Sequence, residues 1–174
     1  LLLLEDLGSV HYLSRLESGA DAEPLYGDAL DALADIQARG LEAARSLAPY
    51  DREALLREMA LMPEWFAARH LQLALDESDR AVIGETCGFL VREALAQPRV
   101  FVHRDYHSRN LMLLPAANPG VIDFQDALAG PVGYDLVSLL KDCYIAWPRG
   151  RVEHWVERYR AQLAALDAHV AAGA

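Results

Sequence analysis

The sequence predicts an α+β, mainly helical fold in which short β-hairpins are embedded between helices. Two observations carry this. Over long stretches, apolar residues recur at three- and four-residue spacing, the pattern of amphipathic helices. Residues 100–126, VFVHRDYHSRNLMLLPAANPGVIDFQD, instead alternate short apolar runs with polar loops. The 174 residues, 53% hydrophobic, fit one domain with a buried core. A net charge of −10 argues against a nucleic-acid partner and for a soluble, cytoplasmic protein. No apolar run approaches a membrane span, and residues 1–4 are far too few. Cys87 and Cys143 lack metal or redox spacing and read as reduced core thiols.

The elements follow in order. Residues 1–4 read as a strand edge, Glu5-Asp6-Leu7-Gly8 as a connector, and residues 10–16 as a short helix with Ser9 as its N-cap. After a polar linker with Gly19, Pro24 suits a first helical turn. Tyr26, Ala29, Leu30, Leu33 and Ile36 then form the core stripe of a helix ended by Gly40. Asp51 caps a helix through Ala60, with Glu53 in its first turn. Pro63 breaks that pattern and opens a helix over 64–75 carrying Trp65 and Phe66. Ser78 caps a long helix over 79–96 that is apolar over much of its girth and so expected at the domain centre. Gly84 and Gly88 would allow another helix to pack closely there. Beyond the β block, Gly130-Pro131 reads as a tight turn and 134–146 as a helix with Asp135 at its positive end. After the break at 148–150, residues 152–169 read as a final amphipathic helix.

The β block carries the chemistry. A strand at 100–102 runs into His103-Arg104-Asp105; Asn110 precedes the apolar run 111–114, and a turn over 115–120 leads to a strand at 121–122 ending on Asp123. H-R-D-x-x-x-x-N followed by D-F matches the catalytic loop of kinases. Phosphoryl transfer from ATP needs a carboxylate to orient the attacking hydroxyl and take its proton, which suits Asp105. It also needs hard oxygen ligands for Mg²⁺, which Asn110 and Asp123 supply. Each of these residues taken alone reads as a turn or cap residue; their order, each at a strand edge, favours the catalytic reading.

His107 stands where protein kinases carry Lys, Asp-Phe is followed by Gln125, and no A-P-E segment follows. The form H-x-D-x-H-x-x-N with I-D-F-Q-D-A resembles the aminoglycoside phosphotransferase and choline kinase superfamily. HRDYHSRNLM, GVIDFQDALAGPVGYDLVSLLKDCY and MPEWFAARHL are similar to the bacterial N-acetylmuramate/N-acetylglucosamine anomeric kinases within it.

The resemblance implies a protein-kinase-like large (C-terminal) lobe with small β-hairpins at the catalytic and metal loops. Residues 1–9 would be the end of a small-lobe strand and the interlobe hinge, and 10–174 an incomplete large lobe. Lys141 is the only Lys, and it lies downstream of the loop, so no upstream Lys or Gly-rich loop holds the phosphates. The chain is therefore expected to be a fragment that needs its N-terminal lobe. Glu5 and Leu7 at the hinge, with Met112 and Ile122, would contact the nucleotide; the alternative for the last two is ordinary core. His103 would hold the loop backbone. His107 is read as bracing Asp105, with contact to the phosphoryl group or acceptor as the alternative. Asp135 would be buried and bond the catalytic-loop backbone, and Asp126 either adds charge near a second metal or caps a turn. Arg104 and Arg109 are phosphate partners or packed against the loop.

The implied reaction is transfer of the γ-phosphoryl of ATP, with Mg²⁺, to a small-molecule hydroxyl. The favoured acceptor is the anomeric hydroxyl of N-acetylmuramate or N-acetylglucosamine, in cell-wall sugar recycling. An aminoglycoside or choline kinase and a non-catalytic kinase-like binding lobe are the alternatives. No nucleic-acid or membrane partner is expected.

Overall fold

In the computed structural model, residues 5–172 are described, with side chains through 166. Helices α1 (Tyr12–Glu17), α2 (Ala22–Arg39), α3 (Leu41–Ala44) and α4 (Arg52–Met59) lead into a π-helix (Met62–His70) and α5 (Glu77–Leu95). Strands β1 (Arg99–Val102), β2 (Leu111–Met112), β3 (Gly120–Val121) and β4 (Leu128–Pro131) follow, then α6 (Tyr134–Leu140) and α7 (Arg149–Ala172). The architecture is mainly helical α+β, as the sequence predicts.

The larger core joins α2 to α7. Asp21 caps α2 by accepting from the Glu23 N–H, Gly40 ends it, and Tyr26, Ala29, Leu30 and Leu33 are buried along one face. Tyr26 stacks on Trp155 with ring centroids 4.2 Å apart, and Trp147 packs edge-on against both rings. The indole N–H groups are satisfied: Trp147 donates to the Tyr26 hydroxyl at 2.8 Å and Trp155 to Glu23 at 3.0 Å. Tyr106, Leu111 and Leu139 extend this core to the loop after β1. A smaller core of Tyr50, Leu55, Val91, Val100 and Val102 lies under α4 and β1.

The strands form two antiparallel pairs. In one, Val100 faces Gly130 and Val102 faces Leu128; in the other, Leu111 faces Val121. The segment predicted to be a turn at Gly130-Pro131 is thus the end of β4. A Cβ at Gly130 would stand 2.9 Å from Tyr50 Cβ and 3.2 Å from Val102, so close packing explains this glycine.

Other boundaries also differ from expectation. His11, not Ser9, precedes α1, with no side-chain cap. The helix after Pro63 is π-helical and stops at His70, and Gln72 follows at φ +56°. Asp76, not Ser78, opens α5, in a reciprocal capping box with Asp79. Among the described residues α5 is peripheral: Val91 is buried, while Val82, Phe89, Leu90 and Leu95 are exposed. A Cβ at Gly84 would meet nothing within 4 Å and one at Gly88 only Arg92 of the same helix, so neither marks a helix–helix contact. The helix expected to run to Ala146 ends at Leu140. The strand edge expected at residues 1–4 lies outside the described residues.

Candidate active site

The loop from His103 to Asn110 is held at both ends by α6 and the turn that follows it. Asp135, fully buried, accepts from the backbone N–H groups of His103 (2.7 Å) and Arg104 (3.0 Å). Asp142 accepts from the Ser108 N–H at 3.0 Å and its hydroxyl at 2.5 Å, and from the Tyr144 N–H at 2.9 Å. Asp142 therefore stands outside the helix because its carboxylate reaches the loop. Across the loop, the His103 ring accepts the Asp105 N–H at Nδ1 (3.3 Å), so Nε2 carries the proton donated to the Ile122 carbonyl at 2.9 Å. This fixes a neutral tautomer, and burial lowers the pKa of the ring below the usual histidine value. Burial raises Asp135 to about 6, against the pull of its two N–H donors.

Arg104 (φ +78°) and Asp123 (φ +67°) have left-handed backbones without being glycine, as does Ala117 (φ +53°) in the turn between β2 and β3. Each such conformation costs about 1–3 kcal/mol and persists where the surroundings over-determine it. The turn at Arg104 delivers Asp105, which is exposed, into an open cleft of about 510 Å³. His107, Asn110, Ile122, Asp123, Arg109, Tyr144 and residues of α1, among them Ser14 and Glu17, line the same cleft. The Asn110 side chain donates its N–H to the Asp105 carbonyl at 3.0 Å, which leaves its amide oxygen for a ligand. Asp123 accepts from Gln125 on one carboxylate oxygen at 2.9 Å. An amide oxygen and a carboxylate are hard donors of the kind Mg²⁺ takes when phosphates and waters complete its octahedron. The residues present fit that ion.

The chain as a whole has known counterparts. Residues 1–172 match the family described as the phosphotransferase enzyme family (APH). The chain belongs to the phosphotransferase enzyme family. Among curated proteins it is 50% identical over 158 residues to an N-acetylmuramate/N-acetylglucosamine kinase of Pseudomonas aeruginosa. It is 44% identical over 170 residues to the protein of that name from Pseudomonas putida and 44% identical over 161 to that from Neisseria meningitidis. These alignments cover 91%, 97% and 91% of this chain, but 46%, 49% and 47% of the relatives, so the chain spans about half their length.

In this phosphotransferase-family chain, Asp105, Asn110, Asp123, Ile122 and His107 share one cleft, and His103 and Asp135 stand behind it. Glu5, Leu7 and Met112 do not line it. Met112 is 4% exposed in the core, bridged to His11; Leu7 lies beside Gly120 and Leu114; Glu5 is exposed. No side-chain hydrogen bond joins His107 to Asp105 among the described residues, so it does not brace it that way. Its Nδ1 is buried without a partner and its ring packs edge-on against Tyr144, 5.6 Å between centroids. Arg109 lies over the Tyr144 ring, and Arg104 pairs with Glu58 at 2.7 Å, outside the cleft. The exposed Asp126 side chain is not part of the cleft lining. Sequence reasoning missed Asp142, Tyr144 and Glu58. An acidic residue inside the apolar pattern of LLKDCY is the one local signal that pointed to Asp142.

Proposed function

We propose that the full-length protein transfers the γ-phosphoryl group of ATP to the anomeric hydroxyl of N-acetylmuramate or N-acetylglucosamine. The convergence of Asp105, Asn110 and Asp123 on one cleft carries the phosphotransferase part. The amino-sugar part rests on 44–50% identity to proteins named for that activity. In this reading Asp105 accepts a hydrogen bond from the acceptor hydroxyl, orients it and takes its proton as the oxygen bonds to the γ-phosphorus and the bond from that phosphorus to the bridging oxygen of ADP breaks. Asn110 and Asp123 would hold Mg²⁺, which when bound neutralises charge on the phosphate oxygens. His103 and Asp135 keep the loop in place, so most of the rate comes from positioning. The setting is cytoplasmic recycling of cell-wall amino sugars.

ADP release by the full-length protein with Mg²⁺-ATP tests this, using N-acetylmuramate, N-acetylglucosamine, an aminoglycoside and choline as acceptors. Turnover on the amino sugars that falls by about 10³-fold or more in Asp105→Asn is expected. Turnover confined to the cationic acceptors would refute the amino-sugar assignment.

A further inference from the structure

We propose that Glu58, on α4 and outside the lining of the cleft, is a positioning residue for the turn that presents Asp105. The inference rests on Asp105 being the group that orients the acceptor. Arg104, its neighbour in the chain, has a left-handed backbone at φ +78°, a conformation that a residue with a Cβ keeps only under restraint. Two restraints converge on it. Asp135 of α6 takes its backbone N–H at 3.0 Å. Glu58 takes its guanidinium at 2.7 Å through Oε1, with both side chains about one-third exposed. The other carboxylate oxygen of Glu58 accepts from the hydroxyls of Tyr50 and Tyr134, the latter at 3.0 Å, and these rings pack 5.0 Å apart. These two hydroxyls engage one oxygen of Glu58 while the other meets Arg104, and the guanidinium lies over the Tyr50 ring. Arg104 Nε is buried with no partner, so the arginine is held mainly through the Glu58 contact and a long 3.5 Å bond to the Asp126 carbonyl. Glu58 thus acts on Asp105 through Arg104 and touches no reacting atom.

Glycine adopts φ +78° without help, so Arg104→Gly separates the need for restraint from the need for the side chain. The test uses Glu58→Gln, Arg104→Gly and the double variant in the full-length protein. It reads backbone hydrogen exchange over residues 103–110 together with kcat and KM. Glu58→Gln is expected to speed exchange in that segment and lower kcat roughly tenfold with KM for ATP unchanged. Arg104→Gly should retain most of kcat, and Glu58→Gln should add nothing to it. Wild-type exchange and kcat in Glu58→Gln, or its full loss persisting in the Arg104→Gly background, would overturn the assignment. If Glu58→Gln does not fold, Arg104→Met gives the same decision: loop exchange must rise above that of Arg104→Gly, and equal exchange refutes the proposal. Exchange needs no substrate, so it stands even where no acceptor turns over.

Discussion

Asp135 shows how a single buried carboxylate ties the site to pH. Burial raises it from an ordinary 3.8 to about 6. Between those values the folded chain holds a proton that the unfolded chain has released, so its contribution to stability falls as pH rises from about 4 to about 6 and stays low above that. Asn at this position cannot titrate. The unfolding free energy of the wild type relative to Asp135→Asn should therefore drop by about 2 kcal/mol between pH 4 and pH 7, measured by urea titration at each pH. A flat difference would mean that the two N–H donors offset burial and leave no net shift. At the cleft itself, Asp123→Ala should raise the Mg²⁺ concentration needed for nucleotide binding by the full-length protein at least tenfold, read by calorimetric titration. The residues of this site differ in how far the sequence disclosed them. His103, Asp105, Asn110 and Asp123 stand in the local order of a kinase-like loop, so the sequence singled them out, and the structure brings Asp105, Asn110 and Asp123 to one cleft. Asp142 and Glu58 act across 34 and 46 residues of chain, and no local pattern records such contacts.

At the scale of elements, β4 was hidden because Leu-Ala-Gly-Pro has none of the β-branched or aromatic residues that mark strands. Its glycine is there for the Tyr50 ring. Gly130→Ala should therefore destabilise the fold by about 1–3 kcal/mol in urea unfolding, although the substitution adds a single methyl. Helix α6 ended earlier than its apolar pattern because Asp142, in the turn after it, bonds the loop from His103 to Asn110, an instance of tertiary contacts overriding propensity. By contrast α2 and α4 were legible from caps and periodicity alone, since Asp21, Gly40 and Asp51 act within a turn of their own helices. The aromatic joint between α2 and α7 sets the stability of that layer. Trp155→Ala, at a fully buried position that also satisfies Glu23, should cost about 3–5 kcal/mol by the same measurement.

For the molecule as a whole, apolar surface is unevenly placed. Leu61, Met62, Trp65, Phe66, Leu71 and Leu73 in and around the π-helix are each about half exposed, beside the exposed face of α5. Patches of this kind drive association. The 174-residue chain should bind a hydrophobic dye such as ANS, and Trp65→Ser with Phe66→Ser should lower that signal without changing its helix content by circular dichroism. Among the described residues no helix is long and apolar enough to cross a membrane. The helical character of the fold was legible because amphipathic stripes are local; the peripheral place of α5 was not, because girth alone does not say what lies against it. One further consequence follows from the loop that Asp135 and Asp142 tie down at both ends. A molecule arriving at the cleft finds this loop already in place, so ordering of residues 103–110 should add no slow step to its association, and backbone exchange in that segment should be the same before and after binding.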